Sequence, residues 1–283
     1  MELIEKALAK ARAAVPKTAS EAAGTAPVPP SEPSAPQLKH GDIASIAYSR
    51  TQVSPASAAV WTENRLVAHL NDRNADLFRI LRTKILQPMR ENGWRTLAIV
   101  GATAGVGKST IASNLALSIA LDANQTVLLV DADLRKPRVA QYFGVLSGMG
   151  LGDYLSGGVS LEEALVNPGV ERLVLLPSVG SYANSTELLS SRKMVDLVTE
   201  LKSRYESRLV IFDLPPLLAS GDALSFLPQF DCALLVVENG GNTAAELSEA
   251  LRILQKTNLI GWVLNKANAG LGGYYKHYYG DKR

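Results

Sequence analysis

From residue 95 onward, short apolar runs alternate with segments in which apolar positions recur every three or four residues. The runs lie at 96–100, 126–131, 172–176, 208–213, 232–237 and 260–264; the amphipathic segments lie near 108–121, 161–166, 186–205 and 243–257. Apolar runs of this length, rich in Val, Ile and Leu, predict strands buried on both faces. Their alternation with helices predicts an α/β fold, a doubly wound and mostly parallel sheet with helices on both sides. Ligands in such sheets bind beyond the carboxyl ends of the strands, where this chain carries Gly101, Asp131, Asp213 and Asn265.

The N-terminal part reads differently. Leu3, Ile4, Ala7, Leu8 and Ala11 fall at helical spacing among Glu and Lys, which predicts a short amphipathic helix over 1–14. Composition then turns to Ala, Ser and Pro, with seven of the fourteen prolines in residues 1–60, and a flexible linker is expected over 15–70. Before the first long strand, Leu77, Ile80, Leu81 and Ile85 form an apolar stripe while Asp76, Arg79 and Arg82 recur every three residues, so a further amphipathic helix is expected there. The main domain is expected over 71–270 and a tyrosine-rich tail over 271–283.

Composition narrows the field. A chain of 283 residues, 47% hydrophobic, holds one substantial core. A net charge of +2 is too small to make nucleic acid or an anionic membrane the principal partner. The single cysteine, Cys232, sits in an apolar run and reads as a buried thiol; His40, His69 and His277 have no zinc-type spacing. No apolar run reaches the roughly 18 residues of a membrane span and the charged start is no signal peptide, so a cytoplasmic location is expected.

Candidate chemistry centres on Ala102 to Thr110, which joins an apolar strand (96–100) to a helix (111–117) and reads ATAGVGKST. This is the P-loop context: backbone N–H groups of Ala104, Gly105, Val106, Gly107, Lys108, Ser109 and Thr110 cradle phosphates, Lys108 reaches the β/γ-phosphates and the Ser109 hydroxyl ligates Mg2+. Ala102 replaces the first glycine of the strict pattern. ATP and Mg2+ are therefore the expected cofactors. Asp213 ends the run 208–213 and is placed as the Walker B carboxylate facing the metal. Asp131 and Asp133, at the end of another strand, add negative charge beside a triphosphate and provide carboxylates able to accept a proton. At the far end, Tyr274, Tyr275, Tyr278 and Tyr279 place four of the nine tyrosines within six positions, after a Leu-Gly-Gly hinge.

VLLVDADLRKPR at 127–138 and IFDLPP at 211–216 resemble the bacterial tyrosine kinases of capsule and exopolysaccharide synthesis, and the likeness continues through Asn184, Thr186 to Ser191, Val263 to Lys266 and the helix at 78–83. The start LIEKAL at 3–8 is similar to members found beside exosortase-type exopolysaccharide systems. The resemblance implies a P-loop NTPase of the deviant Walker, partitioning-ATPase-like group. It makes Asp131 the base on a tyrosine hydroxyl, Asp133 a neighbour of the metal and Asn265 the adenine contact. It implies phosphorylation of Tyr274, Tyr275, Tyr278 and Tyr279 in trans, within a homo-oligomeric ring held through Asp76, Arg79 and Arg82. It further implies a membrane adaptor of the chain-length-regulator type that recruits the kinase to the inner face of the membrane, and a cognate tyrosine phosphatase. Partitioning and cell-division ATPases carry a signature lysine where this chain has Thr103; Ala104 stands where many of the kinases have Pro. A partitioning-type ATPase switch and a non-catalytic ATP-binding scaffold are the alternatives.

Overall fold

The computed structural model describes residues 51–121, 125–145, 148–203, 208–219 and 221–267, apart from the side chains of Asp222 and Ser225. The amphipathic start 1–14, most of the linker and the tyrosine-rich tail lie outside these residues.

The expected sheet is present. Eight strands, β1 (Gln52–Val53), β2 (Thr96–Val100), β3 (Thr126–Asp131), β4 (Val166–Asn167), β5 (Leu173–Leu176), β6 (Arg208–Asp213), β7 (Cys232–Glu238) and β8 (Leu259–Asn265), run in the order β1-β4-β5-β3-β6-β2-β7-β8. All pairings are parallel except β4 with β5. The period of two divides each central strand between two cores. Leu97, Ile99, Val127, Leu129, Leu209 and Ile211 face one side. Ala98, Val100, Leu128, Val130, Val210 and Phe212 face the other.

On the first side, α3 (Lys108–Ala120) is buried around almost its whole circumference, 11 of its 13 residues having little or no exposure. It lies between the sheet and α2 (Arg73–Glu91), which contributes Ile85, Leu86 and Met89. On the second side, α8 (Arg192–Ser203) buries Met194, Leu197, Val198 and Leu201, and α10 (Ala244–Ile253) buries Leu247, Ala250 and Leu251; both sets follow the i, i+3, i+4 spacing of an apolar stripe.

Three local expectations change. The helix expected at 161–166 ends at Ala164, and Val166–Asn167 becomes β4. The helix expected at 186–205 is broken near Ser190 into α7 (Ser185–Leu189) and α8. Residues 51–70, assigned to the linker, are packed: β1 adds to the sheet edge beside β4, and α1 (Ala58–Glu63) is capped by Ser57. Trp61 meets His69 and Phe143 edge-on at centroid distances of 5.4 and 6.4 Å, and Leu66 is fully buried. The cause is Asn114 on α3. Its Oδ1 accepts from the backbone N–H groups of Val67 (2.7 Å) and Ala68 (3.1 Å), and its Nδ2 donates to the carbonyls of Arg65 and Thr110, both at 2.9 Å. A linker-like composition is thus overridden by one buried amide 46 or more residues away.

Candidate nucleotide site

The chain leaves β2 toward β3 in one direction and passes from β6 to β7 in the other, so the carboxyl end of β2 lies at a topological switch point. The loop that begins there has the geometry of a phosphate cradle. Gly105 and Gly107 take φ of +82° and +96°, a region costly for any side chain. Gly107 ends the loop as the N-cap of α3 with no side-chain cap, which leaves the first-turn N–H groups facing outward for an anion. A Cβ on Gly101 would stand 2.6 Å from Val106 Cγ2, so only glycine lets the loop fold back on its own strand.

Lys108 opens α3 and is only 6% exposed; burial lowers its pKa, opposed by the charges of Asp213 and Asp133. Asp131 and Asp213 are Cα partners in the β3–β6 register, so two fully buried carboxyls stand side by side. Burial pushes the Asp213 carboxyl up to about 7, against the downward pull first of Lys108 and then of the nearby Ser109 hydroxyl. Neither of its oxygens meets a hydrogen-bond partner in good geometry. Asp131 is raised well above the usual carboxylate range by burial and by Asp213, although backbone N–H groups pull it back. Its Oδ2 accepts from Arg138 N and Val139 N, both at 2.9 Å, and its Oδ1 from Asp133 N at 3.2 Å. Asp133 is half-buried, and its Oδ1 accepts from Lys136 N at 3.0 Å.

These residues fit Mg2+. Two buried carboxylate oxygens without partners, beside a serine hydroxyl, suit a hard cation that takes one or two carboxylates and completes its shell with phosphate and water. Among the described residues no group of three or more His, Cys, Asp or Glu is arranged to hold a metal.

Asn265, at the end of β8, reaches the same loop: its Nδ2 donates to Val106 O at 2.8 Å, and a Cβ on Gly107 would lie 2.1 Å from that nitrogen. Sequence reasoning missed the contacts around it. Asn242 Nδ2 donates to Thr103 Oγ1 at 2.9 Å, while Asn242 Oδ1 accepts from Glu238 N at 3.0 Å. Glu238 in turn pairs with Lys266 at 2.8 Å, and Lys266 holds a left-handed φ of +56°. The start of the P-loop is therefore tied to the ends of β7 and β8. The only hint of this in the chain is the polar, glycine-rich stretch 238–242. Arg135 likewise docks on Ser185 (2.8 Å) and Thr186 (3.2 Å), which explains why the Asn184–Ser191 segment accompanies the 131–138 motif.

The three residues expected to join subunits make contacts within the chain. Arg79 pairs with Asp76 on the exposed face of α2 at 2.5 Å, and Arg82 donates to Ser118 O on α3 at 2.7 Å. Cys232 is fully buried as expected, and burial pushes its thiol up to about 12. No helix among the described residues is long and apolar enough to cross a membrane.

Comparison with known proteins places this geometry in context. Residues 97–276 match the family described as the CobQ/CobB/MinD/ParA nucleotide binding domain. The chain is 36% identical over 212 residues to the tyrosine-protein kinase YwqD of Bacillus subtilis, covering 74% of this chain and 87% of YwqD. It is 34% identical over 214 residues to the putative tyrosine-protein kinase EpsB of Ralstonia solanacearum, covering 75% of this chain but only 28% of EpsB. Among solved structures, the kinase domain of Escherichia coli tyrosine kinase ETK superposes with a TM-score of 0.63 at 33% identity, over 77% of this chain and 90% of that domain. The septum site-determining protein MinD of Pyrococcus horikoshii, complexed with Mg-ADP, gives a TM-score of 0.54 at 25% identity, over 63% of this chain and 72% of MinD.

Proposed function

Because this chain belongs to the bacterial tyrosine-protein kinases of the CobQ/CobB/MinD/ParA nucleotide binding family, we propose that it is an ATP-dependent protein-tyrosine autokinase acting on the cluster Tyr274, Tyr275, Tyr278 and Tyr279. The observation that carries this reading is the coincidence, at the carboxyl ends of the central strands, of an uncapped P-loop helix, the buried Lys108 and three carboxyls, Asp131, Asp133 and Asp213.

In this reading the loop 104–110 binds the triphosphate and Asn265 flanks the base. Ser109, Asp133 and Asp213 would hold Mg2+, which would supply neutralisation of the β- and γ-phosphate charge. The acceptor phenol forms a new O–P bond at the γ-phosphorus as the bond to the β,γ-bridging oxygen breaks and ADP leaves. The phenolic proton passes to Asp131. Oδ1 is the suitable atom, since it accepts one backbone hydrogen bond where Oδ2 accepts two. A second assignment exchanges the carboxyls: Asp133 has exposed surface and Asp131 has none, which favours Asp133 as the proton acceptor.

The acceptor tail comes from a neighbouring subunit, and the exposed Asp76–Arg79 face of α2 is the proposed contact. Arg79→Ala tests it more cleanly than Arg82→Ala, which also breaks the bond to Ser118. A chain-length-regulator adaptor at the inner membrane face and a cognate phosphatase complete the proposed setting, with polysaccharide polymerisation or export as the regulated process. Thr103, held by Asn242, favours this reading over a partitioning ATPase.

The test is incubation with Mg-ATP and mapping of phosphosites by mass spectrometry, beside a Lys108→Met control. Phosphotyrosine confined to 274–279 and abolished in the control supports the kinase. ATP hydrolysis without phosphotyrosine, even with an adaptor's cytoplasmic segment added, moves the assignment to the ATPase switch. Mixing Lys108→Ala chains with tail-deleted chains separates trans from cis transfer.

A further inference from the structure

Beside the nucleotide site lies a recess of about 510 Å3, lined by Glu63, Asn64, Arg65, Arg138, Gln141 and Tyr142. That volume falls within the range of about 300–1,000 Å3 found for small-ligand clefts. Its walls are tied to the catalytic segments. Arg138 N donates to Asp131, and Tyr142 shares a hydrogen bond of 2.7 Å with Thr110 on the first turn of α3. Arg65 is held in the left-handed region at φ +62° while its carbonyl accepts from the buried Asn114. A non-glycine residue in that conformation carries strain, and the bond from Asn114 holds the backbone there, from which one guanidinium projects. The Arg138 guanidinium donates to the neutral Gln141 side chain at 2.9 Å, and among the described residues neither Arg65 nor Arg138 forms a salt bridge with an acid. Two guanidiniums, two amides and a phenol against the single carboxylate of Glu63 suit an anion with several acceptor oxygens.

The tail supplies a ligand whose charge changes with its own modification. Residues 271–283 carry Lys276, Lys282 and Arg283 against Asp281, a side-chain charge of +2 with His277 neutral. In that state the two arginines repel it. Each phosphotyrosine adds about −1.5 to −2, so one modification neutralises the segment and a second makes it anionic.

We propose that the recess is a phosphotyrosine-recognition site that takes the already phosphorylated tail of a second copy of this chain, alongside the active site and distinct from it. This rests on the kinase reading for the origin of the phosphate, but the binding step is testable without catalysis. Retention of a once-modified tail beside the P-loop would lead to multiply phosphorylated tails accumulating ahead of singly phosphorylated ones.

The test measures fluorescence anisotropy of labelled synthetic peptides 271–283, unmodified or with phosphotyrosine at 275 or 278, on the full chain carrying Lys108→Met. That background removes turnover and weakens phosphate binding at the P-loop. The phosphopeptide is expected to bind at least about tenfold tighter than the unmodified one. Arg65→Gln and Arg138→Gln should abolish the difference, and Glu63→Gln should tighten binding, a gain that misfolding does not produce. Equal affinity for the two peptides overturns the proposal, as does indifference to both arginine variants. Inorganic phosphate binding as tightly as the phosphopeptide also overturns it, by making the recess a general anion site. Failure of the kinase reading looks different: the phosphopeptide still binds, while no phosphotyrosine ever forms with Mg-ATP.

Discussion

Asp213 offers the sharpest test of how the site is built. In the unfolded chain its carboxyl has an ordinary pKa of about 3.9, whereas burial in the fold pushes it up to about 7. Between these values the unfolded state has released a proton that the folded state keeps, so stability falls as pH rises through this window. At about 1.4 kcal/mol per tenfold change, the cost grows to about 4 kcal/mol above pH 7 and vanishes below pH 4. Asp213→Asn keeps the shape and removes the charge. In EDTA, the variant should therefore match the parent near pH 4 and exceed it by up to about 4 kcal/mol at pH 8. Urea unfolding followed by the fluorescence of Trp61, Trp94 and Trp262 measures the difference. Mg-ADP should restore most of the parent's deficit, because a cation against the partnerless oxygens removes the penalty, and should restore little to the variant. Parallel pH profiles for the two proteins would refute the reasoning, since they would mean that the buried carboxyl is solvated or neutralised by Lys108 alone.

Three further outcomes follow from the same geometry. Asn114→Ala removes the acceptor of the buried Ala68 N–H and the half-buried Val67 N–H and the donor to the Arg65 carbonyl, and should lower the unfolding free energy by roughly 2 kcal/mol; a urea-unfolding loss below about 1 kcal/mol would mean that water replaces the clamp. Gly107→Ala forces a Cβ to within 2.1 Å of Asn265 Nδ2 at φ +96°, so calorimetry should show nucleotide affinity falling by about tenfold or more. Adding Asn265→Ala should relieve the clash without restoring full affinity, and complete restoration would locate the whole cost in the side-chain contact. Cys232, with its thiol pushed up to about 12, should resist a thiol reagent at pH 8 in the folded protein and react once denaturant is added; rapid labelling of the native chain would contradict the burial.

Much of the molecule was legible in the order of its residues. The strands and the main helices follow from apolar periodicity, a local property that any packed α/β layer must satisfy. The P-loop, Asp131, Asp133 and Asp213 follow from their places at strand ends, because a parallel sheet aligns all those ends on one side. Three kinds of information were not legible. The packing of 51–70 depends on Asn114, whose amide looks in sequence like any polar residue on a helix. The bond between Asn242 and Thr103 joins positions 139 apart that no motif relates. The inward docking of Arg82 on Ser118 looks, in the chain, like one more cation on an exposed stripe.

Sequence by itself therefore determined the elements, their layering and the placement of the glycine-rich loop and the acidic residues at the strand ends, since hydrophobic spacing and glycine placement act over a few residues. Only the tertiary structure decided which polar groups meet, how far burial moves the pKa values of Asp131 and Asp213, and which arginines face the recess. Those depend on desolvation and distance between segments remote in the chain, and neither is encoded by local spacing.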